Sequence, residues 1–116
     1  MAKGNWAAQL KKGSIQICVM SLLSRSEMYG YEIIKALQQE SDGYFDLKEG
    51  TLYPILYRME ERKYVKSQWL QKDKSKPPRN YYSITKAGKK ALNEAIKEFH
   101  NMVDSTEKIL KTKKRK

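Results

Sequence analysis

The residues with the clearest chemistry are basic and aromatic, and they are clustered. Positions 63–90 hold Lys63, Lys66, Lys72, Lys74, Lys76, Arg79, Lys86, Lys89 and Lys90 against one acid, Asp73, a local balance of +8. Tyr64, Trp69, Tyr81 and Tyr82 are interleaved with them. Ammonium and guanidinium groups neutralise phosphate, and tyrosine hydroxyls bond it, so this stretch suits a polyanion. A charge run can also be a plain solvated face. A second run, Lys111, Lys113, Lys114, Arg115 and Lys116, adds +5. The whole chain of 116 residues carries +11, which leaves the remaining body at −2.

Enzyme and metal chemistry find little support. The chain has one histidine, His100, and one cysteine, Cys18. That pair cannot supply a Cys/His zinc cage or an internal disulfide. A lone histidine without a plausible nucleophile builds no Ser/His/Asp set. Ala87-Gly-Lys-Lys90 lacks the spaced upstream glycine of a phosphate loop. Glu60 and Glu61 are adjacent on a helix and diverge. No enzyme activity, cofactor or metal is expected. No stretch approaches the roughly 18 apolar residues of a membrane span. Met1-Ala-Lys-Gly-Asn-Trp6 has no apolar core of a leader, so a cytoplasmic protein is expected.

The elements that must position the basic cluster follow from periodicity. Ile15, Cys18, Val19, Leu22 and Leu23 mark one face of a helix that starts before Ser14, near Asn5, with Gly13 a weak point. Cys18, on that stripe, reads as a small apolar core residue. Gly30, Ile33, Ile34 and Leu37 mark a second helix, ended by Asp42-Gly43. Leu52, Ile55, Leu56 and Met59 mark a third. Asp46-Leu-Lys-Glu49 has the form of a capping box, but a start there buries Pro54 in the helix interior. A start near Gly50 keeps Pro54 within or next to the first turn. Tyr64–Gln71 reads as a strand, the prolines of Asp73–Pro78 stop it, and Arg79–Ile84 returns. Thr85 caps a last helix reaching Leu110.

In that helix Leu92, Ile96, Phe99, Val103, Thr106 and Leu110 follow a heptad seam. Its length is about 39 Å at 1.5 Å per residue. Three short helices and a hairpin cannot cover it, so its second half calls for a partner chain. Leu92, Ile96, Phe99, Val103 and Leu110 are the candidate homodimer contacts.

The order predicts a mainly α fold with a small β-hairpin, a winged helix-turn-helix. Residues 1–84 form the DNA-binding domain with its N-terminal helix, 85–110 the dimerisation helix and 111–116 a basic tail. The third helix then enters the major groove of double-stranded DNA, and the wing lies on the backbone or minor groove. Lys48, Thr51, Tyr53, Tyr57 and Arg58 are the candidate contacts at helix three. Lys72, Lys74, Lys76 and Arg79 are those of the wing. Arginine takes guanine bidentately, and a helix N-terminus favours an anion. Glu60 and Glu61 repel phosphate, so contact should concentrate at the N-terminal half. The alternative is a solvated face with Tyr53 packed on the wing.

Three segments carry a family resemblance: Tyr29-Gly-Tyr-Glu-Ile33, Glu49-Gly-Thr-Leu-Tyr-Pro-Ile-Leu-Tyr-Arg-Met-Glu60, and Pro78-Arg-Asn-Tyr-Tyr-Ser-Ile-Thr85 with Gly88 following. In this order they resemble the PadR family of bacterial transcriptional regulators, over roughly residues 10–110. The single C-terminal helix is similar to the short subclass, which includes multidrug-sensing repressors. The resemblance implies a homodimer paired through the last helices, a near-palindromic operator, and a pocket for a planar aromatic effector. Multidrug sensors stack that effector on a tryptophan of the last helix. Here the nearest positions are Phe99 and His100, and Trp6 of the N-terminal segment is the candidate for the opposite surface. The wing carries Lys-Pro-Pro-Arg in place of a Gly-rich tip. Two rivals stand beside this reading. One is a sequence-independent basic RNA- or DNA-binding protein, and the other a winged-helix module whose hairpin meets an acidic protein.

Overall fold

Four apolar helix faces meet in one core, and their order is set by the chain's turns and caps. The computed structural model describes residues 2–111, with side chains from Trp6 onward. The order is α1 (Ala2–Leu23), β1 (Met28–Tyr29), α2 (Gly30–Glu40), α3 (Glu49–Glu61), β2 (Val65–Leu70), β3 (Arg79–Ile84) and α4 (Lys86–Leu110). Val19, Leu22 and Leu23 of α1, Ile33 and Leu37 of α2, and Leu52, Leu56 and Met59 of α3 pack with Val65, Tyr82 and Leu92. Cys18 lies half-buried against this cluster, and burial pushes its thiol pKa up. The basic tail lies, from residue 112 on, outside the described residues. Among those described, no helix is long and apolar enough to cross a membrane.

Three sequence expectations need correction. α1 runs unbroken through Gly13 and starts at Ala2, ahead of Asn5. Gly13 faces open space, so it costs only its helix propensity and forces no break. α3 starts at Glu49, one residue before Gly50, with Lys48 as N-cap and no side-chain cap. Pro54 therefore sits inside the helix, in its second turn. It is tolerated there because it is exposed and close to the start, where it removes one helical hydrogen bond. The hairpin also gains a third strand. Met28 pairs with Tyr82 and Tyr29 with Tyr81, giving the antiparallel order β1-β3-β2.

The joints are specific. α2 ends through Asp42 and Gly43, both at positive φ, with the Gly43 N–H donating to the Gln38 carbonyl at 2.7 Å. Thr85 Oγ1 accepts from the Gly88 N–H at 3.0 Å and donates to the Lys63 carbonyl at 2.7 Å. Any Cβ at Gly88 would collide with the Tyr64 carbonyl oxygen, so only glycine lets α4 start this close to the wing. From there α4 runs out along α1. Leu92, a candidate dimer contact by its spacing, is instead buried in the chain's own core; Ile96, Phe99 and Val103 are half-buried, and Thr106 and Leu110 are exposed.

Candidate nucleic-acid interface

α3 turns Leu52, Ile55, Leu56 and Met59 inward, which leaves Lys48, Thr51, Pro54, Tyr57 and Arg58 pointing out. Tyr57 is 62 % exposed. Tyr53 differs, although it lies on the same side of the helix. Its hydroxyl end occupies the space beside Gly30 that a Cβ would fill, so it packs on the start of α2 rather than on the wing tip. Burial pushes its phenol pKa up, and Glu49 adds to the shift. Glu60 accepts a hydrogen bond from Ser67 Oγ at 2.8 Å, which fastens α3 to β2.

The four wing cations divide into two pairs. Lys72 forms an ion pair with Glu27 at 2.8 Å and stands 4.3 Å from the Tyr81 ring centre. The Glu27 hydrogen bond raises the pKa of its ammonium. Arg79 donates to the Tyr29 hydroxyl and lies 4.5 Å from the centre of that ring. Tyr29 in turn packs edge-on against Tyr81, and its backbone N–H donates to Glu32 at 3.2 Å. Lys72 and Arg79 thus pin the loop end of the two wing strands to the β1–α2 corner. Lys74 and Lys76 stay exposed at the tip. The tip is ordered by Asp73, which accepts from the Ser75 backbone at 3.0 Å and from its hydroxyl at 2.8 Å. These bonds hold the Asp73 carboxyl below the usual carboxylate range. Gln71 Nε2 donates to the Lys76 carbonyl at 2.8 Å and closes the turn.

Sequence reasoning missed Glu27, Tyr29 and Glu32 as wing anchors. The one signal was that Tyr29 and Glu32 lie within the Tyr29-Gly-Tyr-Glu-Ile33 motif and Glu27 just ahead of it. Trp69, noted among the aromatics of the basic cluster, was not counted among the wing contacts, yet it projects from β2 at 69 % exposure.

On the other side, α1 and α4 bound an open groove of about 980 Å³. Leu10, Ile17, Met20, Ala95, Phe99 and Met102 line it, with Arg62, Glu94 and Glu98 among its walls. Phe99 contributes to this groove, its ring edge-on to His100 at 5.5 Å. Trp6 is exposed and is not part of the lining, so one chain alone does not bring the two candidate effector residues together. No group of three or more metal-ligating side chains occurs among the described residues.

Comparison with known proteins agrees with this architecture. The model of the "Transcriptional regulator PadR-like family" matches residues 19–94. An uncharacterized protein of Lysinibacillus sphaericus is 32% identical over 89 residues, covering 76% of this chain and 80% of that one. The transcriptional regulator YqjI of Escherichia coli is 30% identical over 53 residues, which span 46% of this chain and 26% of that protein. Among solved structures, a PadR family transcriptional regulator from Eggerthella lenta superposes with a TM-score of 0.82 at 29% identity, covering 95% of this chain and 93% of that one. A PadR-like regulator from Bacillus cereus gives 0.77 at 30% identity, with 90% and 99% covered. The chain belongs to the PadR-like family of transcriptional regulators, and it is a DNA-binding regulator rather than an enzyme.

Proposed function

We propose that this chain acts in the cytoplasm as a homodimeric repressor on a near-palindromic operator. The observation that carries the reading is the outward face of α3. Thr51, Tyr57 and Arg58 stand exposed beside a wing whose tip offers Lys74 and Lys76. In this reading Lys48, Thr51, Tyr57 and Arg58 meet the major groove and its flanking phosphates, while Lys74 and Lys76 meet backbone phosphates. Tyr53, Lys72 and Arg79 hold the two elements at the spacing the duplex requires. The dimer forms through Ile96, Phe99, Val103 and Leu110 of two α4 helices. A planar aromatic effector between the subunits, against Phe99 of one and Trp6 of the other, changes the distance between the two α3 helices.

Sequencing duplexes selected from a random pool by the purified protein tests this. The expected result is an inverted repeat with half-sites about one helical turn, or 34–36 Å, apart. Recovery of fragments with no common sequence supports instead a sequence-independent basic binder.

A further inference from the structure

Trp69 is the large side chain of the wing that the fold leaves without employment. β2 alternates its faces, so Val65, Ser67 and Trp69 share one side. Val65 on that side is in the core, and Ser67 bonds Glu60 of α3. Trp69 therefore lies on the α3-facing side of the wing, two residues beyond the last point where α3 covers it. Its cross-strand partner is Asn80, whose side-chain oxygen is buried without a hydrogen-bond partner. Among the described residues the indole has no ring contact, cation contact or hydrogen bond of its own. An indole with 69 % of its surface in water is a large apolar area held in place by a strand, with its N–H donor unused.

Charge decides what can cover it. The wing, residues 65–84, carries five cations and one acid, and of these cations Lys72 alone forms an ion pair among the described residues, with Glu27. Two wings from two copies of the chain repel each other, so self-association through Trp69 is opposed. A polyanion is attracted, and the exposed α3 face lies on the same side. Flat aromatic rings pack on nucleotides without regard to base identity, and apolar side chains enter the minor groove from neighbouring protein elements.

We propose that Trp69 is a duplex-DNA contact, its indole packed against the sugars of one strand at the minor groove beside the α3 footprint. This rests on the DNA-binding reading above and adds to it a residue that provides affinity without sequence preference. It also gives the wing a task beyond charge, because lysines at the tip neutralise phosphates while Trp69 fixes how closely the strand approaches β2.

The test uses the full chain carrying Trp6→Phe, which leaves Trp69 as its one tryptophan. Mixed-sequence duplex at low salt is the probe. Anisotropy of end-labelled duplex reports binding, and acrylamide quenching with unlabelled duplex reports access to the ring. The ring should become several-fold less accessible in the complex. Trp69→Ala should weaken binding about tenfold for all sequences alike, the size of a partly lost aromatic burial of about 1.4 kcal/mol, with the salt slope unchanged. Trp69→Phe should restore most of it. Circular dichroism checks that both variants fold. Binding by anisotropy with Trp69 still fully open to acrylamide overturns the proposal and leaves the DNA-binding reading standing. Shielding that grows with protein concentration in the absence of DNA assigns the ring to a second copy and overturns it too. No duplex binding by any variant overturns both.

Discussion

Two groups of exposed large apolar side chains keep different company. Along α1 and the outer half of α4, Trp6 apart, they are Leu10, Met102, Ile109 and Leu110, aliphatic or thioether, beside a groove with both charge signs in its walls. On α3 and the wing they include Tyr57 and Trp69, aromatic and polar-tipped; the wing, residues 65–84, sets five cations against Asp73, and the acids Glu60 and Glu61 sit at the far end of α3. The first group has nothing to offer a phosphate and gains by meeting another apolar surface. The second can bury ring area and still satisfy a hydroxyl or indole N–H on a polar strand. Exposure alone does not name a partner; the polar ends and the local charge do.

The two regions should fail differently. Val103→Asp strikes the first and should have the largest effect. It removes an apolar burial worth about 1.5–3 kcal/mol and places a carboxylate on each of two facing helices. Sedimentation should show dimerisation weakened by a hundredfold or more, about 3 kcal/mol or beyond, with operator binding lost. An unchanged dimer would place the interface elsewhere.

Gly88→Ala strikes the joint between the regions. Its Cβ meets the Tyr64 backbone, which cannot move aside as a side chain can. Thermal unfolding should show a loss of about 1–3 kcal/mol or more. Gly50→Ala, also helical but facing open space, should be neutral or stabilise by up to about 1 kcal/mol. Equal losses at both positions would mean that α4 does not approach β2 as described.

Within the wing the contrast is finer. Lys72→Ala should change the salt dependence of DNA binding by less than one phosphate contact per subunit, because Glu27 already matches its charge. Glu27→Gln should steepen that dependence by releasing the lysine. A full loss of slope in Lys72→Ala would show that DNA displaces Glu27 from the pair.

Much of this was legible in the sequence, and the exceptions share a cause. Helical spacing revealed α1 to α4, and adjacent prolines fixed the wing's turn. Thr85 marked the start of α4 because its cap is local. β1 was not legible: two residues have no period, and only pairing with β3 makes them a strand. Lys72 and Arg79 were recognised by type, but their partners, Glu27 and Tyr29, are distant in sequence and meet them only through the sheet. Tyr53 and Tyr57 are equivalent by spacing, one turn apart, yet the gap beside Gly30 takes one and leaves the other free. Trp69 was read as one of the aromatics interleaved with the basic cluster; its freedom depends on where α3 ends. The helical spacing of Phe99 was legible, and it lines the groove between α1 and α4, which Trp6 does not join within one chain.

The central claim is that α3 reads sequence while the wing tip binds phosphate. It is tested by measuring affinity against salt for operator and random duplex in wild type, Lys74→Ala and Tyr57→Ala. Lys74→Ala should flatten the slope of log affinity against log salt by about two units per dimer and weaken both duplexes alike. Tyr57→Ala should leave the slope nearly unchanged and shrink the preference for operator. The opposite pattern would reverse the two roles, and no change in either variant would remove both elements from the DNA-binding surface.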